Sequence, residues 1–183
     1  MSVEIEKKYR LGDVDVGRVE EALASVAAVF AGEEFEENTI YGGGVLDEDR
    51  AVLRIRKVGD RAILTYKKPI DGDSEIKHRV EYESEFSDIP ALREIVGNLG
   101  FTPRLVYEKR RKTWRFNKAE IVVDELPFGR FMEIEGTIVE IENAESELKI
   151  GDLEVVHQTY PAIASALGVE RNGVIESRFP DKP

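Results

Sequence analysis

The sequence predicts an α+β fold: a closed eight-stranded antiparallel β-barrel with a charged lumen and helices packed on the outside. Three observations lead there. Charged residues recur at two-residue spacing through most of the extended segments, turn signals separate those segments, and several stretches of helical periodicity lie between or after them. Two-residue spacing puts side chains on one face of a strand. In the opening run, Glu4, Glu6 and Lys8 share one face, while Val3, Ile5 and Tyr9 form an apolar opposite side.

The pattern repeats along the chain. Arg54 and Arg56 alternate with Leu53 and Ile55; Arg79, Glu81 and Glu83 alternate with Val80 and Tyr82. Lys109 and Arg111 form another same-face pair, Asp124 closes the run Ile-Val-Val-Asp, and Glu133 and Glu135 alternate with Met132 and Ile134. A strand face turned to bulk water would mix in Ser, Thr and Gln, whereas these positions are almost wholly ionic. Such a face must meet water, a metal or an anionic ligand.

The elements follow in order. Gly12-Asp13 ends the first strand, and Val16, Val19, Leu23, Val26, Ala27 and Phe30 recur at helical spacing, which predicts a helix over 16–30 with Asp15 as N-cap. Residues 34–42 read as a strand, and Gly42-Gly43-Gly44 with Asp47-Glu48-Asp49 reads as a flexible hairpin loop. No Gly-Lys-Ser/Thr follows those glycines, so they do not form a phosphate-binding P-loop. Strands over 50–58 and 61–69 flank the turn Gly59-Asp60, and residues 76–86 form the next strand. Ser87 then caps a helix from Ile89 to Leu99, stopped by Gly100. Strands follow at 104–116, 119–126 and 130–139, separated by Asn117-Lys118 and Pro127-Phe128-Gly129. Glu142 to Ile150 and Gln158 to Leu167 read as helices, Tyr160 as a core contact of the second, and Arg178 to Pro183 as a loose tail.

Eight antiparallel strands in one small domain favour closure, because an open sheet of that length leaves exposed edges. Charges inside and apolar residues outside require a lumen of water, ions and ligand, with the helices near 16–30, 88–99 and 142–168 covering the outer face. The expected organisation is a single domain over 1–183: a barrel over about 1–140, a C-terminal helical segment over about 141–170, and a tail over 171–183.

Composition narrows the function. The net charge of −11 opposes general binding to nucleic acid or to an anionic membrane, so any anion must be caught by a local positive site. With no cysteine in 183 residues, disulfides, thiolate metal sites and cysteine nucleophiles are excluded. No apolar run approaches the roughly 20 residues of a membrane span, and a cytoplasmic protein, monomeric or homodimeric, is expected. Glu4, Glu6, Asp124, Glu133 and Glu135 offer the hard oxygen ligands that Mg²⁺ or Mn²⁺ prefers. Arg54, Arg56, Lys67, Arg79, Lys109 and Arg111 offer donors for phosphate oxygens. Metal ligands beside a cationic clamp equip a site for polyphosphate. His78 and His157 are assigned no metal role.

The ordered series Glu4-x-Glu6-x-Lys8, Arg54-x-Arg56, Lys67, Arg79-x-Glu81-x-Glu83, Lys109-x-Arg111, Asp124 and Glu133-x-Glu135 resembles the CYTH superfamily. Its members, also called triphosphate tunnel metalloenzymes, include class IV adenylate cyclases, thiamine triphosphatases and inorganic triphosphatases. The resemblance implies an eight-stranded antiparallel tunnel with inward charges. It implies one or two divalent metals on Glu4, Glu6, Asp124, Glu133 and Glu135, with Glu81 a further candidate, and a triphosphate gripped by Lys8, Arg54, Arg56, Lys67, Lys109 and Arg111, with Arg79 alongside. Lys8 and Glu6 are the candidate catalytic residues: the ammonium against developing negative charge, the carboxylate among those able to activate water. Glu83 and Glu85 are assigned to the rim.

The favoured activity is hydrolysis of a triphosphate-containing small molecule, inorganic or nucleoside or thiamine triphosphate, with water attacking the terminal phosphorus. The single Trp114 lies on the face opposite Lys109 and Arg111, so no aromatic is placed to stack on a base or thiazolium. Class IV adenylate cyclase, making cyclic AMP and pyrophosphate from ATP, is the second reading, and a non-catalytic polyphosphate-binding module the third.

Overall fold

The computed structural model describes residues 5–69 and 79–180. β1 (Glu6–Leu11) is followed at once by α1 (Asp13–Ser25), whose Asp15 carboxylate accepts from the Gly12 N–H at 2.8 Å. Asp15 therefore lies inside the first turn instead of capping it. The helix also stops short of Phe30: Ala27 takes a positive φ of 54°, and Val29 opens β2 (Val29–Gly42). A β-branched and an aromatic residue in sequence favour the strand there.

In place of the expected hairpin loop, Gly44 at φ 50° opens the single turn α2 (Val45–Glu48), which buries Leu46. β3 (Val52–Val58) and β4 (Arg61–Pro69) flank the Gly59-Asp60 turn, and β5 (Arg79–Phe86) follows. The cap of α3 (Ile89–Asn98) is Asp88 and not Ser87, its Oδ1 accepting from the Ala91 N–H at 2.9 Å. Next come β6 (Thr102–Phe116), β7 (Ala119–Leu126) and β8 (Gly129–Glu135). β8 ends before 139, and α4 (Ile138–Leu148) begins before 142, because Thr137 and Glu140 form a capping box. The Glu140 carboxylate accepts from the Thr137 N–H at 2.7 Å and Thr137 Oγ1 from the Glu140 N–H at 3.3 Å.

After α5 (Tyr160–Leu167), which buries Tyr160, the stretch expected as a tail forms a hairpin of β9 (Val169–Arg171) and β10 (Val174–Ser177). Asn172 and Gly173 both take positive φ, 52° and 79°, the requirement of the tightest hairpin turns. Arg178 beyond it is held by Glu37, Glu108 and Glu176 and is not loose.

The hydrogen-bonded order is β1-β8-β7-β6-β2-β3-β4-β5, with β10 beside β6 and β9 beside β10. Pairings among the eight main strands are antiparallel wherever the register is defined, and β10 runs parallel to β6. The described residues group into two compact units, one within 35–108 and 160–180, the other of 5–34 and 109–159. In the second, Tyr9, Trp114, Ile121, Val123, Met132 and Ile134 pack against Val19 and Leu23 of α1 and Ile141, Ala144 and Leu148 of α4. In the first, Tyr41, Leu53, Ile55 and Ala62 pack against Leu46 and against Ile89, Leu92 and Val96 of α3. Within each unit, helices cover the apolar sheet face and the ionic residues take the opposite one. Among the described residues no helix is long and apolar enough to cross a membrane.

Trp114 is buried in the core of its unit, with its ring 5.2 Å from that of Phe30. Trp114→Ala is expected to destabilise the protein by about 3 kcal/mol, read as a lower urea midpoint at unchanged m-value.

Candidate active site

In the unit containing β1, β7 and β8, the strand register assembles the ionic face. Lys8 lies opposite Glu133 and Glu6 opposite Glu135 across β1 and β8, and Arg111 lies opposite Asp124 across β6 and β7. Arg111 is the hub. Its Nε and Nη2 donate to Asp124 Oδ1 and Oδ2 at 2.8 and 2.6 Å, and Nη2 also reaches Glu133 Oε2 at 2.9 Å. Lys109 Nζ stands 3.6 Å from Asp124 Oδ2. Lys8 Nζ stands 3.2 Å from Glu133 Oε1 and donates to the Gln158 carbonyl at 3.1 Å. Asp124 is 0% exposed and Lys109 3%, so neither charge is carried by bulk water. The two-pronged guanidinium makes the burial of Asp124 tolerable.

Glu133 is the strained member of this group. Burial pushes its carboxyl above the ordinary carboxylate range, and the charges of Glu6 and Asp124 push the same way; Arg111 and Lys8 offset this only in part. Negative charge is thus under-compensated here, and the donors are hard oxygens, which fits a divalent cation of the Mg²⁺ or Mn²⁺ kind. The register places Glu6 opposite Glu135 on this face, while Asp124 is engaged by Arg111, and Glu133 by Arg111 and Lys8. Among the described residues no three acidic or histidine side chains converge as they stand. Glu4, another expected ligand, and His78 lie outside the described residues.

The other unit has its own ionic face. Arg54 lies opposite Thr65, and Thr65 opposite Glu83, so the three form a row across β3, β4 and β5. Thr65 Oγ1 donates to Glu83 Oε1 at 2.5 Å, and Arg54 Nη2 approaches Thr65 Oγ1 at 3.2 Å and Glu83 Oε1 at 3.5 Å. Partial burial raises the Glu83 carboxyl, but the Thr65 hydroxyl and the charges of Arg54, Arg56 and Lys67 outweigh it and hold the group below its usual range. Lys67 pairs with Glu81 at 2.7 Å, which occupies that carboxylate with a cation. Arg79 begins β5 opposite Pro69.

Four polar residues on this face escape a search for ionic pairs. Glu36 and Asn38 are 1% exposed; Asn38 Nδ2 donates to Glu36 Oε2 at 3.2 Å, and that oxygen lies 3.4 Å from Arg56 Nε. Thr65 is wholly buried. Tyr107 is buried, and burial raises its pKa against the opposing charges of Arg54 and Arg56. The signal for Tyr107 lies in its spacing, two residues before Lys109 on one strand face. Each ionic face can thus present paired cations to an anion, and in the unit of β1 and β8 the cations Lys8 and Lys109 are nearly out of solvent.

The family model for the CYTH domain matches residues 2–160. A Methanocaldococcus jannaschii protein named "Putative adenylate cyclase MJ0240" is 28% identical over 181 residues, covering 97% of this chain and 96% of its own. Among solved structures, the PH1012 protein of Pyrococcus horikoshii is similar with a TM-score of 0.71 at 22% identity, over 87% of this chain and 98% of that one. The Hippeastrum protein HpAC1, whose structure is described as revealing a dominant triphosphatase activity, gives 0.65 at 18% identity, over 89% and 94%.

The raised pKa of Glu133 sets a pH dependence for the metal-free protein. A carboxyl whose folded pKa exceeds its unfolded one binds more protons when folded, so its ionisation costs stability as pH rises through that window. Glu133→Gln is therefore expected to raise the urea midpoint above that of the wild type at pH 8, with the difference closing below the ordinary carboxylate range. Denaturation curves at several pH values in chelator check this.

Proposed function

Because the chain belongs to the CYTH domain family, we propose that it is a divalent-metal-dependent hydrolase of triphosphate substrates. The observation that carries this reading is the placing of lysines and arginines among carboxylates on ionic faces, where Lys8 and Lys109 are almost wholly out of solvent. Lys8 and Lys109 are held in place by Glu133 and Asp124, and charge-assisted donors oriented in this way suit phosphate oxygens.

In this reading Lys8, Arg54, Arg56, Lys67, Arg79, Lys109 and Arg111 bind phosphate oxygens. Glu6, Glu133 and Glu135, with Glu4, Glu81 and Asp124 as further candidates, would hold Mg²⁺ or Mn²⁺, which when bound supplies charge neutralisation and a more acidic water. Thr65 and Glu83 fix the reach of Arg54. Water attacks the terminal phosphorus, the bond to the bridging oxygen breaks, and the diphosphate portion leaves. Glu6 takes the proton of the attacking water, and the Lys8 ammonium faces charge that builds on the phosphate oxygens. Positioning and charge neutralisation carry most of the rate.

The name of the 28%-identical relative favours a second reading, cyclisation of ATP to cyclic AMP and pyrophosphate. The two differ in which phosphorus is attacked, and the cations serve either. A binding module without catalysis needs no carboxylate set, which disfavours it.

Release of phosphate, pyrophosphate and cyclic AMP from tripolyphosphate, ATP and thiamine triphosphate, each with Mg²⁺ or Mn²⁺, tests the assignment. Metal-dependent phosphate release from tripolyphosphate is expected; cyclic AMP as the sole product from ATP would overturn it. Arg54→Ala is expected to raise KM by about tenfold to a hundredfold, and Glu133→Ala to raise the metal concentration needed for half-maximal rate, with far-UV circular dichroism unchanged in both. Equal loss of folded signal in the two variants would point to a lattice of structural ion pairs.

A further inference from the structure

We propose that Asn38 and Glu36 are positioning residues: the buried amide fixes the Glu36 carboxylate, and the carboxylate fixes the Arg56 guanidinium for grip on a triphosphate. The inference rests on the reading of Arg56 as a phosphate contact.

The strand register gives the two arginines of β3 their polar neighbours from opposite sides. Arg54 lies between Ile40 of β2 and Thr65 of β4, whereas Arg56 lies between Asn38 of β2 and Ile63 of β4. The polar neighbour in register with Arg54 thus comes from β4, and that of Arg56 from β2. On the β2 side Asn38 Nδ2 donates to Glu36 Oε2 at 3.2 Å, and the same oxygen stands 3.4 Å from Arg56 Nε. Glu36 and Asn38 share one strand face and are each 1% exposed, while the Arg56 side chain keeps 21% of its surface open. A buried anion at the Nε end limits how far the planar guanidinium can swing.

The state of the amide points to a role beyond packing. Asn38 Oδ1 is buried with no hydrogen-bond partner among the described residues. An acceptor left unpaired in this way costs stability, and an apolar side chain of similar size would avoid the cost. The amide is explained by the half that is engaged. Beside the Arg56 cation the Glu36 oxygen is an acceptor, so the amide turns Nδ2 toward it and Oδ1 away. A neutral donor braces the carboxylate without neutralising it, so its attraction for Arg56 is kept. Counter-charge and positioning then differ in sign. An anion that merely neutralises Arg56 competes with phosphate, whereas one that orients it removes part of the ordering that binding would otherwise require.

The test uses the full chain with Asn38→Ala, Glu36→Gln, Arg56→Ala and the Asn38→Ala/Arg56→Ala double variant, following tripolyphosphate hydrolysis, tripolyphosphate binding and the thermal midpoint. Asn38→Ala changes no charge and should raise KM about fivefold to tenfold with kcat within about twofold. Glu36→Gln keeps the shape of the buried side chain and reads the same contact should Asn38→Ala not fold; KM should rise about tenfold. A lower KM in Glu36→Gln identifies a counter-charge and overturns the proposal. In the Arg56→Ala background, Asn38→Ala should add less than about twofold, because both act through one guanidinium. Effects that multiply overturn the proposal, as does unchanged KM in Asn38→Ala, with or without a lower thermal midpoint. A wild type that neither binds nor hydrolyses tripolyphosphate, or an active wild type with a silent Arg56→Ala, defeats the underlying reading and the positioning together. An impaired Arg56→Ala with a silent Asn38→Ala defeats the positioning alone.

Discussion

The constraint on which the rest depends is the cost of holding charge out of water. Asp124, Glu36 and Lys109 are essentially removed from solvent, and Lys8 and Glu133 nearly so. An isolated ion in such surroundings costs several kcal/mol, and each must be answered by a counter-charge at hydrogen-bonding distance. Arg111 does this for two carboxylates at once, and its planar fork grips both oxygens of Asp124 in the two-pronged geometry that Lys does not match. The arrangement is stabilising only relative to leaving one partner alone. A hydrophobic face of the same shape would cost less, so the ionic face is explained by what it binds and not by what it contributes to stability.

That constraint also orders the architecture. With one face of each strand given to ions, the apolar face must be buried by something else, and within each unit helices supply it: α1 and α4 in one, α3 with the α2 turn in the other. The register follows, because a slip of one residue would exchange Lys8 with Tyr9, or Glu133 with Met132, and bury the wrong side on both faces.

Most of this was legible because period-two alternation is a local signal. The ionic faces, the Trp114 side and the eight main strands could be read from spacing alone. Helix ends were less legible, since apolar spacing near Val26 and Phe30 fits helix and strand alike until Ala27 turns the chain. The capping box at Thr137 and the Asn172-Gly173 turn were present as sequence signals but lay next to stronger ones, a strand running past 135 and a charged C-terminus. Glu36, Asn38 and Tyr107 could be placed on a face but not ranked, because their weight comes from burial by strands distant in sequence. Arg178 shows the limit most plainly: besides Glu176 two residues away, its partners Glu37 and Glu108 lie 141 and 70 residues off.

The acid excess of the chain bears on how an anion is handled. At −11 overall, long-range attraction cannot gather a triphosphate, so affinity must come from contacts made after arrival. In the proposed function, Arg54, bonded to Thr65, and the buried Lys8 would meet that demand, since a cation already paired and oriented loses little entropy on binding. The proposed function would give Glu133 its place by the same logic: if this carboxylate, held against its preference for the neutral form, takes part in binding a divalent cation, proton loss and metal binding are coupled at one residue. A more comfortable carboxylate, ion-paired and fully ionised before the metal came, would offer less of the energy that selects the loaded state over the empty one.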